Sequence, residues 1–177
     1  MASSGAALPP PPLAVPLPAT LPAPLTSLVG RDDDVTVVAQ LLGATRLLTL
    51  TGAGGSGKTR LAIEVARRAA GAHRDGVAWV DLAALSDPDL LATHVGTALH
   101  LELGARPALD SLLDGVQGRE LLLVLDNCEH LVDACAVLVE LLLARASELR
   151  ILATSREALG APGERAWLVP TLAVPET

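Results

Sequence analysis

Short apolar runs alternate with longer amphipathic segments along most of this chain. The runs are continuously apolar, which is typical of strands buried on both faces of a parallel sheet. We predict four such strands and a short fifth one, at Leu47–Thr51, Val77–Leu82, Leu121–Leu125, Ile151–Ala153 and Ala166–Val169.

Apolar residues recur at helical spacing between these runs. Ser86-Asp87-Pro88 also provides a helix start, because a capping side chain stands just before a proline. We predict helices at Val35–Leu42, Lys58–Ala70, Ser86–His100, Ala108–Val116 and Leu131–Ala146. Strands alternating with helices predict an α/β fold, in which helices cover both faces of a parallel sheet.

Composition sets the first residues apart from the rest. Residues 1–27 hold eight of the thirteen prolines, and proline fixes φ and lacks the amide hydrogen. We expect a proline-rich disordered tail or linker there, followed by one domain over residues 28–177.

The net charge of −7 argues against direct nucleic-acid binding by this segment. No signal peptide or membrane-length apolar stretch is visible, so we expect a cytoplasmic protein that does not enter a membrane.

A glycine-rich loop follows the first predicted strand. The segment GAGGSGKT fits the phosphate-loop pattern G-x-x-x-x-G-K-[ST], with a strand before it and a helix after it. Glycines let the backbone curl around phosphate oxygens, and the following helix adds its positive end. Lys58 is the only lysine of the chain; it would contact the β- and γ-phosphates, and the Thr59 hydroxyl would ligate Mg²⁺. We predict binding of ATP or ADP by Gly52, Ala53, Gly54, Gly55, Ser56, Gly57, Lys58, Thr59 and Arg60.

A dinucleotide site is the competing interpretation of this loop. Gly52, Gly54 and Gly57 also form G-x-G-x-x-G, and Asp81 ends the next strand, where such folds place a ribose-binding acid. That interpretation leaves Lys58 and Thr59 unexplained.

Two later strand ends carry polar side chains. Asp126 follows an apolar strand, as in a Walker B motif, where the acid anchors hydrated magnesium. The next position often carries an acid in such ATPases, but here it is Asn127. Glu129 is the candidate for approaching the attacking water, with a solvated helix-start glutamate as the alternative, so we expect slow hydrolysis. Arg156 would read the γ-phosphate if its strand lies beside the phosphate loop; otherwise it is a surface arginine.

Four ordered motifs together resemble the STAND class of signalling ATPases. The similarity is to the NB-ARC-like ATPase domain of large bacterial transcriptional regulators of the AfsR/SARP and LuxR types, over about residues 25–175. The motifs are LVGR at 28–31, the loop at 51–59, LLLVLDNCEH at 121–130 and LATSREAL at 152–159.

This resemblance implies a P-loop NTPase three-layer sandwich with a five-stranded parallel sheet of order 5-1-4-3-2. Gly30 and Arg31 would match the element that lies against the adenine. Lys58 and Thr59 would match the phosphate and magnesium contacts, Asp126 the Walker B acid and Arg156 the first sensor.

The resemblance also bears on organisation and function. Family members continue into a helical lid and a winged-helix domain, and they carry a DNA-binding domain; none is recognisable in this sequence. We therefore expect a fragment of a larger switch protein, in which ATP or ADP controls self-association or the exposure of an effector domain. A degenerate nucleotide-binding fragment without catalysis stays open because of Asn127 and the missing lid. A small metabolic kinase would need a substrate pocket and an arginine-rich lid, and a transport ATPase would need an LSGGQ-like signature; we find neither.

Overall fold

The computed structural model describes residues 21–23 and 28–172. Most of the expected tail at 1–27 therefore lies outside the described residues. In chain order, the described helices and strands are α1 Asp32–Ala44, β1 Leu47–Thr51, α2 Lys58–Ala69, β2 Val77–Asp81, α3 Leu91–Ala98, α4 Ala108–Val116, β3 Leu122–Asp126, α5 Val132–Arg145, β4 Arg150–Ser155 and β5 Glu164–Leu168.

The five strands form one parallel sheet in the order β2-β3-β4-β1-β5. This confirms the predicted α/β fold and the predicted strand order. Because all strands run the same way, their carboxyl ends meet at one edge. Strand β1 lies next to β4, with Leu50 opposite Thr154, and β2 lies next to β3, with Asp81 opposite Asp126.

Helices cover the two faces of the sheet, so the molecule has three layers. Leu48 and Leu50 belong to a buried cluster on the face of α1 and α2. Leu47, one residue away, belongs to the cluster on the opposite face, which contains buried residues of α3, α4 and α5. Burial on both faces explains why the strands read as continuous apolar runs. Leu21 is partly buried against the α1 and α2 side.

Some predicted bounds were wrong, for identifiable reasons. The helix expected from Ser86 to His100 is a 3-10 turn, Pro88–Leu90, followed by the shorter α3. Asp87 does cap this start, since its carboxylate accepts from the Asp89 amide at 2.9 Å. The helix ends before His100, whose φ of 55° is left-handed. Strand β5 begins two residues earlier than predicted, because it is a largely exposed edge strand without an apolar run.

Strand β4 also extends beyond the predicted segment. Arg150 precedes the apolar residues and Thr154 and Ser155 follow them, and the two hydroxyl residues are fully buried opposite β1.

Among the described helices, none is long and apolar enough to cross a bilayer.

Candidate functional site

The loop between β1 and α2 depends on glycine at both of its ends. Gly52 has a φ of 146°, and a Cβ there would lie 3.1 Å from Ser56 Oγ and 3.4 Å from the Val169 carbonyl. Gly57 has a left-handed φ of 89° and precedes the first residue of α2. Residues with a side chain rarely adopt these angles, so the loop conformation requires the glycines that the motif contains.

Lys58 carries a buried positive charge at the start of α2. The residue is only 8% exposed, and its ammonium donates to the carbonyls of Gly52 and Ala53, at 2.9 Å each. Among the ion pairs of residues 21–23 and 28–172, none involves Lys58. Buried charges in proteins are normally matched by an opposite charge. The loop therefore holds a cation whose charge is matched only by carbonyl dipoles.

Thr59 and Asp126 meet at the carboxyl edge of the sheet. The Thr59 hydroxyl lies 3.0 Å and 3.1 Å from the two carboxylate oxygens of Asp126. Asp126, at the end of β3, is 2% exposed. The structure thus brings together the two residues that the sequence predicts as metal ligands.

Two further donors hold the Asp126 carboxylate. Thr154 on β4 donates from Oγ1 to Oδ1 of Asp126 at 2.5 Å, and Asn127 donates from Nδ2 to Oδ2 at 3.1 Å. Burial raises the pKa of Asp126 above its ordinary value, and the charges of Asp81 and Glu129 add to the rise, while the hydrogen bonds from Thr154 and Thr59 oppose it. The carboxylate is positioned by three side chains and lacks a cationic partner among them.

Asn127 has a left-handed backbone, with a φ of 62°. Its amide N–H donates to Thr154 Oγ1 at 2.9 Å. Its side-chain Nδ2 also donates to Asp81 Oδ1 at 3.1 Å, across from the carboxylate of Asp126. Sequence reasoning did not assign Thr154 to this site and gave Asp81 only to the dinucleotide alternative. The sequence signal that could have identified them is that each is a polar residue at the end of an apolar strand.

Arg156 and Glu129 approach the loop from the same edge. Arg156 directly follows β4, and its guanidinium lies 3.2 Å from where a Cβ of Gly54 would stand, so it packs against the phosphate-loop backbone. Glu129 lines the cleft above the loop, and its Oε2 is buried with no hydrogen-bond partner.

A cleft of about 620 Å³ lies over the loop and extends to Asn127 and Glu129. This volume is within the usual range of small-molecule sites. Its polar lining comes from the loop, Asn127 and Glu129, and apolar side chains are added by Leu28, Val29 and Leu172. Its lining residues are Leu28, Val29, Arg31, Gly54, Gly55, Gly57, Lys58, Thr59, Arg60, Asn127, Glu129 and Leu172.

Arg31 lines this cleft, but its guanidinium is engaged by the protein. It is 4% exposed and donates to Asp34 at 2.9 Å, to the Ser56 carbonyl at 3.1 Å and to the Pro170 carbonyl at 2.7 Å. Arg31 therefore ties the start of α1 to the phosphate loop and to the segment after β5. Gly30 beside it has a left-handed φ of 74°. Their contact with an adenine stays a prediction.

Curated relatives are large bacterial proteins. A Mycobacterium tuberculosis protein named as an HTH-type transcriptional regulator is 48% identical over 135 residues, which cover 76% of this chain and 15% of that protein. An uncharacterized protein of the same species is 42% identical over 151 residues, covering 85% of this chain and 38% of the relative. The regulatory protein AfsR of Streptomyces coelicolor is 32% identical over 150 residues, covering 69% of this chain and 15% of AfsR. The chain therefore spans 15% to 38% of the length of these relatives.

Two solved structures share the fold. A signal transduction ATPase with numerous domains (STAND) from Pyrococcus horikoshii, which has a tetratricopeptide repeat sensor, superimposes with a TM-score of 0.62 at 18% identity. The match covers 88% of this chain and 25% of that one. Drosophila ORC bound to DNA gives a TM-score of 0.58 at 16% identity, covering 80% and 43%.

The family assignment rests on the sequence match and agrees with the fold. The AAA domain family matches residues 42–159, a span that runs from the end of α1 through β4 and contains the loop and Asp126. The resemblance to AfsR-type regulators is confirmed by the sequence match to AfsR, and the STAND ATPase structure shares the fold of this chain. This chain belongs to the AAA domain family.

Proposed function

We propose that the cleft binds ATP and ADP with Mg²⁺, and that the chain hydrolyses ATP slowly as the regulatory switch module of a larger transcriptional regulator. The observation that carries this proposal is the buried Lys58 ammonium. It has no carboxylate partner among the described residues, and it stands in a glycine-rich loop facing a cleft of nucleotide size.

The phosphate groups would take over the hydrogen bonds that Lys58 now gives to Gly52 and Ala53. A triphosphate supplies the negative charge that a buried ammonium needs, and its oxygens accept from the ammonium and from loop amides. The first turn of α2 lies at the same place, so the positive end of the helix adds to the attraction. Gly52–Thr59 and Arg60 are the proposed phosphate-binding residues.

Thr59 and Asp126 fit a magnesium ion bound together with phosphate. Both offer oxygen, which magnesium prefers, and they already lie within 3.1 Å of each other. Among the described residues, no group of three or more His, Cys, Asp or Glu side chains could hold a metal. The ion would therefore depend on phosphate oxygens to complete its ligands. Once bound, the metal offsets phosphate charge during phosphoryl transfer.

Glu129 and Arg156 are the proposed groups at the reacting end. The buried, unpartnered Oε2 of Glu129 is an available acceptor for a water proton. Arg156 packs on the phosphate loop, where a guanidinium would contact the terminal phosphate and sense its loss. Hydrolysis should be slow, because no acid follows Asp126 directly.

The regulatory role is supported by the relatives rather than by this chain's geometry. One of them is named as an HTH-type transcriptional regulator and another as a regulatory protein, and each is several times longer than the matched segment. We propose that nucleotide state in this domain controls other domains of such a protein, or self-association, in the cytoplasm. In this proposal the segment itself binds neither nucleic acid nor membrane, and any DNA contact belongs to another domain.

Isothermal titration with ATP, ADP and NAD, each with and without Mg²⁺, tests the nucleotide proposal. We expect ATP and ADP to bind more tightly than NAD, because a dinucleotide lacks the β- and γ-phosphate arrangement that Lys58 would contact. Lys58→Ala should abolish measurable phosphate-dependent binding. Arg67→Ala, which removes an exposed cation from the same helix, is the matched control and should bind as the parent does.

Asp126→Asn separates metal binding from nucleotide binding. It should reduce the gain in affinity that Mg²⁺ confers while leaving metal-free binding nearly unchanged. Asp110→Asn, at an exposed position of α4, serves as its control. Equal affinity for NAD and ATP would contradict the proposal and favour the dinucleotide interpretation. Tight Mg-ATP binding without phosphate release would favour a nucleotide-binding module without catalysis.

A further inference from the structure

Asn127 is held between two carboxylates at the edge of the cleft. Asp81 and Asp126 are opposite each other in the register of β2 and β3, and neighbouring strands lie only about 4.8 Å apart. The Nδ2 of Asn127 lies 3.1 Å from Asp81 Oδ1 and 3.1 Å from Asp126 Oδ2. Both amide hydrogens are thereby committed, one to each acid.

The charge and the hydrogen-bonding capacity of the two carboxylates determine the orientation of the Asn127 amide. Each carboxylate can only accept hydrogen bonds, so an amide between them must present its nitrogen and not its oxygen to both. A half-turn of the amide would set Oδ1 against the carboxylates and lose both bonds. The orientation is therefore imposed by Asp81 and Asp126 together.

The remaining polar atom of the side chain is left for the cleft. Asn127 lines the cleft beside Glu129 and is partly exposed. Within residues 21–23 and 28–172, its Oδ1 accepts no hydrogen bond, and it is not among the fully buried atoms that lack a partner. It is thus an accessible acceptor at a fixed position near Thr59 and Asp126.

The same contacts explain why this position holds an amide instead of an acid. A carboxylate at residue 127 would add a third negative charge within hydrogen-bond distance of Asp81 and Asp126, and it could donate to neither. An amide donates to both and still offers an acceptor. The left-handed φ of 62° is also one that asparagine tolerates better than most residues.

We propose that Asn127 is a further catalytic residue, whose Oδ1 orients the attacking water, and that Asp81 is the positioning residue that turns this oxygen toward the cleft. This inference rests on the proposed ATP hydrolysis. An amide side chain orients the attacking water in GTPases, so orienting the water does not require an acid. An amide cannot take the water's proton, which agrees with slow hydrolysis. Water attacks the terminal phosphorus, the bond to the leaving diphosphate oxygen breaks, and the water's proton passes to Glu129 or to solvent.

The orientation can be measured without catalysis, because Asn127 is the only asparagine of the chain. Selective labelling with ¹⁵N-asparagine gives a single side-chain amide pair by NMR. Asp81→Ala removes one acceptor without adding a second asparagine, and it should shift both protons of this pair. Asp110→Ala removes an exposed acid of α4 and should leave them in place. Adding Mg²⁺ with a non-hydrolysable ATP analogue should move the pair in the parent chain.

Turnover then tests the catalytic part, with Asn127→Gly as the variant. Glycine keeps the left-handed backbone without strain, so loss of the side chain is isolated from loss of the turn. We expect phosphate release under single-turnover conditions to fall by about tenfold to a hundredfold, with the Mg-ATP dissociation constant changed by less than about threefold. Asp81→Ala should lower turnover by a smaller factor, again with affinity retained.

The results discriminate between this inference and the function on which it rests. A parent chain that does not bind Mg-ATP overturns both. A parent chain that binds and hydrolyses Mg-ATP, but no faster than Asn127→Gly, overturns the inference alone. An amide pair that does not shift in Asp81→Ala overturns the positioning role of Asp81.

Discussion

Thr154→Val removes one hydroxyl from the centre of the site. Thr154 is 1% exposed; its Oγ1 donates to Asp126 at 2.5 Å and accepts from the Asn127 amide at 2.9 Å. Valine has nearly the same volume and suits a strand, so no cavity forms and β4 is not disturbed. The change therefore isolates two hydrogen bonds.

The size of the effect follows from what is left unpaired. A hydrogen bond to a charged group contributes about 1.5–3 kcal/mol, and a buried donor left without a partner costs about 1–3 kcal/mol. Together they predict a loss of about 2.5–6 kcal/mol, a large part of the roughly 5–15 kcal/mol that stabilises a typical domain. The remaining donors to Asp126, Thr59 and Asn127, limit the loss to this range.

Urea unfolding at neutral pH measures this change. Thr36→Val is the matched control, because its hydroxyl donates to the Asp32 carbonyl on an exposed face of α1; it should stay within about 0.5 kcal/mol of the parent. A Thr154→Val variant as stable as Thr36→Val would refute the view that Thr154 holds a charged Asp126 in place.

Two further outcomes follow from contacts outside the proposed metal ligands Thr59 and Asp126. Arg31→Met should destabilise the chain by about 2–4 kcal/mol, because the Ser56 and Pro170 carbonyls lose their donor; urea unfolding would show it, and recovery of full stability by Arg31→Lys would contradict the need for a forked guanidinium. Burial lowers the pKa of His73, with the charge of Arg150 adding to this effect and Glu120 opposing it. Protonation of His73 is then less favourable in the folded state. The contribution of neutral His73 to stability is therefore fully present above about pH 6.5 and is lost as the pH falls toward the lowered pKa of the folded state. His73→Gln should lessen the loss of thermal stability between about pH 7.5 and about pH 5, and an unchanged loss would assign it to other groups.

The sequence was sufficient for those parts of the fold that depend on local pattern. The glycine loop, the helix after it and the central strands were all recognisable, because continuous apolar runs and loop spacing are properties of adjacent residues. The strand order came from the resemblance, since the pattern alone does not say which strands are neighbours. Edge strand β5 was misplaced by two residues because exposure on both sides removes the apolar signal.

The contacts of the site were harder to predict than its residues. Thr154 reaches Asp126 only because β4 lies beside β3, and Arg31 contacts carbonyls 25 and 139 residues away. The local sequence pattern does not predict contacts between residues so far apart in the chain. The left-handed backbone of Asn127 could not be predicted from the local pattern either, although Asn127 is the only asparagine of the chain. Lys58, by contrast, was recognisable from the local sequence, because the only lysine among twelve arginines stands at a motif position.

The single lysine also allows the most direct test of the central claim, that the loop holds nucleotide phosphates. Selective ¹³C labelling of lysine gives one set of side-chain signals, all from Lys58. Addition of Mg-ATP should move the Cε and Hε signals as the ammonium exchanges carbonyl partners for phosphate oxygens, with adenosine alone moving them little. Signals that stay in place at millimolar Mg-ATP would contradict the account.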